Sequence, residues 1–555
     1  MRYNLTLLII TLIAATLRLV SLTTNPPELN IDEIAFAYDA YSILQTMRDH
    51  HGNFLPLAFE SVGDYKSPGI IYLLVPFISF FGLTEFATRL PTALLGTFAI
   101  PLLYFLTNIL TKNKTVSVFS AGALAISPWH IYYSRIASDH LIATTLLLAG
   151  SIFLFKILEE PKVRYQLLTA LFLSLSMYFY HSHKVAILCL IPTILILSKK
   201  GYSYLRFKLK VFFILFVLLT IPLVWLTLFG EGNKRAEMVF ITKDTEYTRY
   251  VILDHFMPYI FYPNLNIFTP LSHELLLLPF FWASRLIGYL DPNFLFLNGL
   301  GMTNLDISGL GVLYLYDLLL IPLGIISILK KQKQLSFILG SWILISIIPA
   351  SFANNEFNAG RTLLAYPPIA IISAFGLEYL LKKLRSIKKE FALPLSIGLL
   401  FITILIYLHA FVIFSVHFPI QKSENFMYGS KNTILYALSQ ENSYNEIIIS
   451  PRRGISANDI INTPHLYYFF YAKLDPKVVQ SAFQNHKNGE ALQVGKYTFK
   501  EINWYNERLR KNTLFITSPW NFSEQEIKKV TILEKFYLLS GELALVAVVH
   551  NPDAK

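Results

Sequence analysis

The chain has 555 residues, of which 54% are hydrophobic and 15% charged, whereas a soluble domain is roughly 25% charged. Mean hydropathy is +0.48, and long apolar runs recur over the first three quarters of the sequence, which excludes a soluble globular protein and indicates a polytopic membrane protein. The net charge of +11 does not indicate nucleic-acid binding, because the Lys and Arg residues fall in short loops between apolar runs.

Apolar runs along the sequence predict about eleven membrane-spanning helices. The first run resembles a signal peptide, but it has no small-residue cleavage site and carries Arg18 near its end, so we interpret it as a retained span. The stretch 68–84 contains Pro76 and is shorter than the roughly 20 residues needed to cross, which predicts a juxtamembrane or re-entrant helix. The predicted spans are 5–22, 86–110, 116–134, 138–158, 165–180, 183–198, 210–229, 309–329, 334–351, 362–381 and 391–415.

Basic residues in the loops predict the orientation of these spans. With the N-terminus in the cytoplasm, five loops rich in Lys and Arg all lie on the cytoplasmic side, as the positive-inside rule requires. The same orientation places the loops 23–85 and 230–308 outside the plasma (inner) membrane. The five basic clusters are Lys112 and Lys114; Lys162 and Arg164; Lys199, Lys200, Arg206, Lys208 and Lys210; Lys330, Lys331 and Lys333; and Lys382, Lys383, Arg385, Lys388 and Lys389.

The sequence after the last predicted span changes character. Residues 1–416 predict an all-α membrane domain, and residues 417–555 predict a soluble extracytoplasmic α/β domain with short buried strands alternating with helices. It contains no glycine-rich nucleotide loop. The predicted strands are Glu446–Ser450, Thr513–Thr517 and Ala544–Val549, and the predicted helices lie near Met427–Ser439, Pro464–Lys473 and Ser523–Lys529.

The segment after the first span predicts a helix with carboxylates at its start. Asn30 can cap this helix, with Glu33 at the capping-box position three residues on. Helical spacing places four apolar residues on one stripe, which predicts an amphipathic helix on the outer membrane surface. The stripe consists of Ile34, Tyr38, Tyr41 and Leu44.

Three carboxylates of this first loop are the candidate catalytic residues. Asp32 is predicted to act as a general base that takes a proton from an acceptor hydroxyl, with Glu33 beside it and Asp64 positioning sugar or acceptor. The alternative is that Asp32 and Glu33 are first-turn residues that only favour the helix dipole.

Cations predicted on the same face indicate a phosphate site. A lipid-phosphate leaving group needs fixed positive charge, and Lys66, Arg135 and Arg361 are each predicted at the outer end of a span. Lys184 is a further candidate. The alternative for each is snorkelling towards lipid headgroups.

Three more polar residues are candidate supporting groups. Asp139 follows Arg135 by four residues, so on one helix the two would share a face and could pair. His181 and His183 suggest a metal, but two residues apart they do not share a helix face, so interfacial, hydrogen-bonded histidines are the favoured interpretation. If a divalent cation binds, first-loop carboxylates are the predicted ligands. The single cysteine, Cys189, excludes an intramolecular disulfide and disfavours a zinc-thiolate site.

These residues together resemble the GT-C membrane glycosyltransferases, in the branch of protein O-mannosyltransferases and aminoarabinose transferases. The resemblance covers most of residues 1–400 and is carried by five stretches. They are Asp32-Glu33, Asp64-Tyr65-Lys66-Ser67-Pro68, the run from Phe81 to Pro91, Ser134-Arg135 with Asp139, and Arg361 with Pro367-Pro368.

The resemblance implies a polyprenyl-phosphate sugar donor, reaction on the extracytoplasmic face and inversion at the anomeric carbon. It also implies Asp32 as the catalytic carboxylate and Lys66 as the lysine near the lipid phosphate. The chain has Tyr65 where relatives often have an acidic residue. The expected partners are a polyprenyl-phosphate-linked sugar, an acceptor lipid, glycan or protein, and membrane lipids.

A transporter or flippase for lipid-linked sugars is the alternative function. Transporters usually carry ionisable residues at mid-membrane and inverted repeats. Here the predicted span interiors are nearly free of charge, with Asp317 as the main exception, and no inverted repeat is found. The sequence therefore favours the transferase.

Overall fold

The computed structural model describes most of the chain, in two compact units. The membrane-helix unit comprises residues 1–20 and 92–413, and the sheet unit comprises residues 21–91 and 414–555. The described residues are 2–61, 64–197, 209–230, 240–241, 270–301, 305, 307–353, 357–386, 388–454, 463–486, 491–507 and 509–550. Most of the predicted loop 230–308 therefore lies outside the described residues, as do Lys199, Lys200, Arg206 and Lys208.

Helices dominate the described chain. In chain order they are α1 (Arg2–Leu19), α2 (Ile31–Thr46), α3 (Pro68–Phe81), α4 (Glu85–Thr111), α5 (Lys114–Ile126), α6 (Pro128–Ser134), α7 (Asp139–Glu159), α8 (Val163–Phe179), α9 (His181–Leu197), α10 (Lys210–Phe229), α11 (Pro270–Gly288), α12 (Asp317–Lys331), α13 (Lys333–Ser351), α14 (Tyr366–Ser386), α15 (Lys389–Val412), α16 (Phe418–Gln421), α17 (Ser430–Ser439), α18 (Pro464–Tyr471), α19 (Pro476–Asn485), α20 (Trp504–Glu507) and α21 (Glu524–Ile527).

Six of the described helical segments are long and apolar enough to cross a membrane. Shorter apolar helices cover four more stretches, including α1 and α9, so the exact count of eleven spans stays a prediction. The six segments are Glu85–Thr111, Asp139–Glu159, Lys210–Phe229, Lys333–Ser351, Gly360–Ser386 and Glu390–Gln421.

The predicted span 116–134 is two helices rather than one. α5 ends at Ile126, and α6 starts at Pro128, which lacks the N–H that a continuous helix would use. The Ser127 side chain accepts a hydrogen bond from the His130 N–H and so caps α6. Proline and a serine cap are a local signal for this break.

Two glycines let α12 and α14 approach closely. A Cβ added at Gly324 would lie 2.0 Å from the Ile372 carbonyl oxygen, and one added at Gly376 would lie 1.9 Å from that of Leu320. Small residues at such crossings allow backbone contact between helices in membranes. The membrane-helix unit therefore relies on close packing here.

The sheet unit contains a six-stranded mixed sheet in the order β4-β5-β3-β6-β8-β7. β3 is parallel to β5 and β6, while β4, β7 and β8 pair in antiparallel fashion. A separate hairpin pairs β1 with β2. The strands are β1 (Phe59–Ser61), β2 (Asp64–Lys66), β3 (Glu446–Ile449), β4 (Leu492–Val494), β5 (Tyr497–Phe499), β6 (Thr513–Thr517), β7 (Val530–Tyr537) and β8 (Leu543–His550).

The helix α2 is a core element, which corrects the predicted amphipathic surface helix. Ten of its sixteen residues are buried. The Tyr38 hydroxyl donates to the Leu474 carbonyl over 3.0 Å, and the Tyr467 hydroxyl donates to that of Leu29 over 2.9 Å. Small residues such as Ala35 and Ala37 are fully packed, so the faces outside the predicted stripe are also covered. The sequence pattern showed one apolar stripe on α2, but it did not show that the other faces of the helix are also buried.

Candidate functional site

Three side chains of the first loop that the sequence predicts as site residues lie next to one another in the sheet unit. The Lys66 Nζ lies 2.9 Å from an Asp32 oxygen and 3.1 Å from an Asp64 oxygen. The Lys66 side chain is only 11% exposed, whereas that of Asp32 is 50% exposed and that of Asp64 is 23% exposed. A nearly buried ammonium therefore joins two carboxylates that solvent can reach.

Local structure fixes each member of this cluster. Asp32 lies in the first turn of α2, where the Asn30 side chain accepts from the Glu33 N–H and the Glu33 carboxylate accepts from the Asn30 N–H. This reciprocal pattern is the predicted capping box. Asp64 and Lys66 are the two ends of β2, which pairs with β1. The two residues are therefore held on one short strand.

Glu33 is buried in an ion pair and does not face solvent. Its side chain is 1% exposed, and its two oxygens accept from Arg89 Nε and Nη2 over 2.8 and 2.9 Å. Arg89 also donates to the carbonyls of Leu22, Pro26 and Glu28. We therefore revise the catalytic assignment of Glu33, because its carboxylate organises the start of α2. Asp32 and Asp64 are the two candidate carboxylates that solvent reaches.

Glu28 is a second buried carboxylate of the sheet unit. It accepts hydrogen bonds from the Gly429 N–H over 2.7 Å and the Lys431 N–H over 2.6 Å. Burial raises the pKa of Glu28 to about 7, against the lowering effect of these N–H groups and of the Arg453 charge. The segment before α2 is thus tied to residues 429–431 by a carboxyl that titrates near neutrality.

The raised pKa makes the stability of the protein depend on pH through Glu28. Below about pH 4.5 the group is protonated in both states, and its contribution to stability is fully present; that contribution is lost as pH rises through about 7. We expect the free energy of unfolding of the wild type to fall relative to Glu28→Gln between pH 5 and pH 8, by on the order of 3 kcal/mol. Urea unfolding of both proteins across this range measures the difference, and a constant difference would contradict the assignment.

Arg135, a predicted phosphate ligand, lies in the membrane-helix unit. Its side chain is buried, and it donates to the carbonyls of Leu17 and Val20 over 2.8 Å each. These carbonyls belong to the end of α1 and the residue after it, so Arg135 caps that helix. This contact satisfies carbonyls that a helix end leaves unpaired, which gives Arg135 a structural function.

Asp139 and Arg135 do not share a helix, contrary to the premise of their predicted pairing. α6 ends at Ser134 and α7 begins at Asp139. One Asp139 oxygen lies 2.6 Å from the His140 Nδ1. Asp139 therefore begins a helix and engages the residue next to it.

The two predicted histidines begin α9. The Lys184 Nζ lies 3.4 Å from the His181 Nδ1, and the His183 Nε2 lies 3.4 Å from the Thr144 hydroxyl. His183 is buried. The structure thus pairs His181 with Lys184 and directs His183 towards α7.

Arg361 lies in the 3₁₀ helix Gly360–Ala365, which directly precedes α14. Its backbone N–H bonds the Asn358 carbonyl and side chain. The Nη1 atom is buried, and within the described part of the chain it has no hydrogen-bond partner. A buried guanidinium nitrogen without an acceptor is costly, so this arginine is suited to an anionic ligand.

Metal ligation stays a prediction. Among the described residues, no group of three or more His, Cys, Asp or Glu side chains is placed to hold a metal ion. The two carboxylates predicted as ligands, Asp32 and Asp64, share the ammonium of Lys66 instead. That arrangement does not fit a divalent cation between them, because the lysine already supplies the positive charge.

Sequence reasoning missed the charges that hold this region in place. Arg89 lies in the stretch from Phe81 to Pro91 that carries the resemblance, and Glu28 is not among the residues that the sequence predicts for the site. A second buried pair joins the Asp39 carboxylate to the His50 Nδ1 over 2.6 Å. Burial alone would lower the pKa of His50, but the charge and hydrogen bond of Asp39 raise it. For Arg89 the available signal was a charged residue in a largely apolar stretch.

Comparisons with known proteins agree with the predicted resemblance. Residues 65–225 match the family model described as dolichyl-phosphate-mannose-protein mannosyltransferase. None of the curated proteins matches the sequence.

Solved structures give the fold. ArnT from Cupriavidus metallidurans bound to undecaprenyl phosphate matches with a TM-score of 0.55 and 10% identity, over 97% of each chain. The archaeal oligosaccharyltransferase AglB from Archaeoglobus fulgidus, in complex with an inhibitory peptide and a dolichol-phosphate, matches with a TM-score of 0.50 and 13% identity, over 85% of this chain and 63% of that one. At identities of 10% and 13%, these matches establish a similar fold and nothing further. The chain is a multi-pass membrane protein with the fold of ArnT, and its residues 65–225 are similar to the mannosyltransferase family.

Proposed function

We propose that this protein is a glycosyltransferase that transfers a sugar from a polyprenyl-phosphate donor to an acceptor hydroxyl outside the cytoplasm. The observation that carries the proposal is the Asp32–Lys66–Asp64 cluster, in which one cation lies 2.9 and 3.1 Å from two carboxylates. A general base and a phosphate-binding cation are the two groups that this reaction needs.

The cluster supports a single displacement. The acceptor oxygen attacks the anomeric carbon, the bond from that carbon to the carrier phosphate breaks, and the phosphate leaves with the bonding electrons. The proton of the acceptor hydroxyl passes to Asp32, whose half-exposed carboxylate can be reached by an acceptor. Inversion at the anomeric carbon follows, because the displacement occurs once.

Lys66 would bind the leaving phosphate. In the resting protein its ammonium is shared by Asp32 and Asp64. A donor phosphate would draw this ammonium towards itself and free Asp32 to accept the proton, while Asp64 keeps the lysine in place. In the membrane-helix unit, Arg361 keeps its predicted function as a phosphate ligand, because its Nη1 is buried and has no acceptor among the described residues. Lys184 remains a weaker candidate.

The proposed donor fits the ligands bound in solved structures of two proteins with this fold. ArnT from C. metallidurans was solved with undecaprenyl phosphate and AglB from A. fulgidus with a dolichol-phosphate. Both are polyprenyl phosphates. The proposed acceptor is a lipid, a glycan or a protein, and the proposed location is the plasma membrane with the sheet unit outside. The transporter alternative gains no support from these comparisons.

Binding of the carrier tests the function assigned to Lys66. We expect Lys66→Met to weaken binding of undecaprenyl phosphate by about 10–100-fold, since a hydrogen bond to a charged group is lost. Lys66→Arg should retain most of the affinity, because arginine also binds phosphate. Binding is measured by titrating labelled undecaprenyl phosphate onto the purified protein in detergent.

Lys528→Met is the matched control, because Lys528 is an exposed lysine of the same unit. It should bind the carrier like the wild type. Equal affinity in Lys66→Met and the wild type would contradict the assignment.

A further inference from the structure

The sheet unit holds a polar cavity whose lining shares no residue with the Asp32 cluster. Its volume is about 300 Å³, and it is lined by Arg452, Glu501, Ile502, Asn503 and Asn521. This is at the small end of the range of about 300–1,000 Å³ for ligand pockets. None of these residues was singled out from the sequence.

The cavity lies where the topology favours ligand binding. β3 is parallel to both of its neighbours, and Ile449 at its end is level with Phe499 of β5 and Ile516 of β6. Arg452 follows β3, residues 501–503 follow β5, and Asn521 follows β6. The lining therefore comes from loops at the carboxyl ends of three adjacent parallel strands.

The chain also changes direction at this edge. From β3 it continues to β4 and β5 on one side of the sheet order, and from β6 it continues to β7 and β8 on the other side. Loops that leave neighbouring parallel strands in opposite directions open a crevice between them, which is the usual ligand position in open α/β sheets. The cavity occupies that crevice.

The loops around the cavity are held in place. The Ser518 hydroxyl donates to the Gly454 carbonyl over 3.0 Å and so ties the loop after β6 to the loop after β3. Arg453 is fully buried and donates to the carbonyls of Met427 and Tyr428. A prearranged pocket loses less entropy when it binds a ligand.

The chemistry of the lining selects a neutral ligand with many hydroxyl groups. Arg452 and Glu501 pair over 3.1 Å, so their charges balance, and the carboxylate disfavours a phosphate. Asn521 donates to the Thr517 hydroxyl over 2.7 Å, which leaves its amide oxygen to accept. The Asn503 side chain has no hydrogen bond to another described residue. Amides supply both donors and acceptors, as hydroxyl groups require.

An exposed aromatic residue adjoins the cavity lining. Trp520 directly precedes Asn521 and is 65% exposed. An indole has an apolar face and one polar N–H, and such a face suits the C–H surface of a sugar ring. Isolated exposed aromatics are normal, but this one lies in the loop that supplies a cavity residue.

We propose that this cavity binds carbohydrate, as a site for the glycan part of the acceptor. The identification of that glycan as the acceptor rests on the proposed transferase function, whereas the binding itself does not. The substrate class is a neutral oligosaccharide, and a short segment of it fills the cavity.

The test is direct binding in the absence of turnover. Full-length protein carrying Asp32→Asn is labelled, kept in detergent micelles and applied to immobilised oligosaccharides of mannose, glucose, galactose, rhamnose and N-acetylglucosamine. We expect retention on at least one of these. The double variant Asn503→Ala with Asn521→Ala should raise the dissociation constant by about tenfold or more. Trp520→Ala should also raise the dissociation constant.

Asn506→Ala is the matched control, because Asn506 is an exposed asparagine of α20 that does not line the cavity. It should bind like the parent. Retention on none of the oligosaccharides, or equal affinity in the parent and the double variant, would overturn the proposal. Binding without any sugar transfer by the wild type would count against the transferase alone, and transfer without binding would count against this site alone.

Discussion

Asp32→Asn is expected to reduce sugar transfer by about 10²–10⁴-fold, the usual contribution of a general base. Asparagine has nearly the same shape as aspartate, but it cannot accept the proton of the acceptor hydroxyl. The change removes one partner of Lys66, yet the Asp32 side chain is half exposed, so the loss of this pair should cost little stability. Initial rates of transfer with equal amounts of folded protein measure the effect.

Glu60→Gln provides the control for Asp32→Asn. Glu60 is an exposed carboxylate on β1, in the same hairpin as Lys66, and it pairs with Tyr65 across the strands. The rate of sugar transfer by Glu60→Gln should remain close to that of the wild type. A full rate in Asp32→Asn would remove Asp32 from the mechanism, and an equal loss in Glu60→Gln would show that the hairpin is sensitive to any loss of charge.

Arg89→Met is expected to destabilise the protein by about 3–5 kcal/mol, the range for removing one partner of a buried ion pair. Glu33 would be left as a buried charge, and the carbonyls of Leu22, Pro26 and Glu28 would lose their donor. The yield of folded protein and its denaturant midpoint measure this effect. The loss should be smaller when Glu33→Gln is added, because the uncompensated charge is then removed.

The exposed pair of Lys112 and Glu159 gives a matched comparison for this prediction. Its side chains are 66% and 51% exposed, so Lys112→Met should change the free energy of unfolding by about 1 kcal/mol or less. Equal effects of Lys112→Met and Arg89→Met would contradict the structural function assigned to Arg89.

Local signals in the sequence correctly predicted the start of α2 and the three strands β3, β6 and β8 of the sheet. The capping box of Asn30 and Glu33 depends only on residues three apart, and the apolar runs of β3, β6 and β8 are short and continuous. The strands β4 and β5 were not predicted, because each has three residues and so shows no clear alternation. Short strands depend on their neighbours rather than on their own sequence.

The candidate site was predicted in part. Asp32, Asp64 and Lys66 were grouped from their order in the first loop, and the structure brings them within hydrogen-bonding distance. The partner of Glu33 could not be read in this way, because Arg89 is 56 residues away in the chain and the pairing depends on tertiary structure. Burial of both faces of α2 was likewise not visible in its sequence pattern.

Sugar transfer from a defined donor distinguishes the proposed transferase from a transporter. The wild type and Asp32→Asn are placed in proteoliposomes with a panel of radiolabelled polyprenyl-phosphate sugars and a membrane extract that supplies acceptors. We expect that the wild type, but not Asp32→Asn, moves the label from one donor to an acceptor and releases the polyprenyl phosphate. Passage of the intact labelled donor across the bilayer, with no transfer, would contradict it and indicate a transporter.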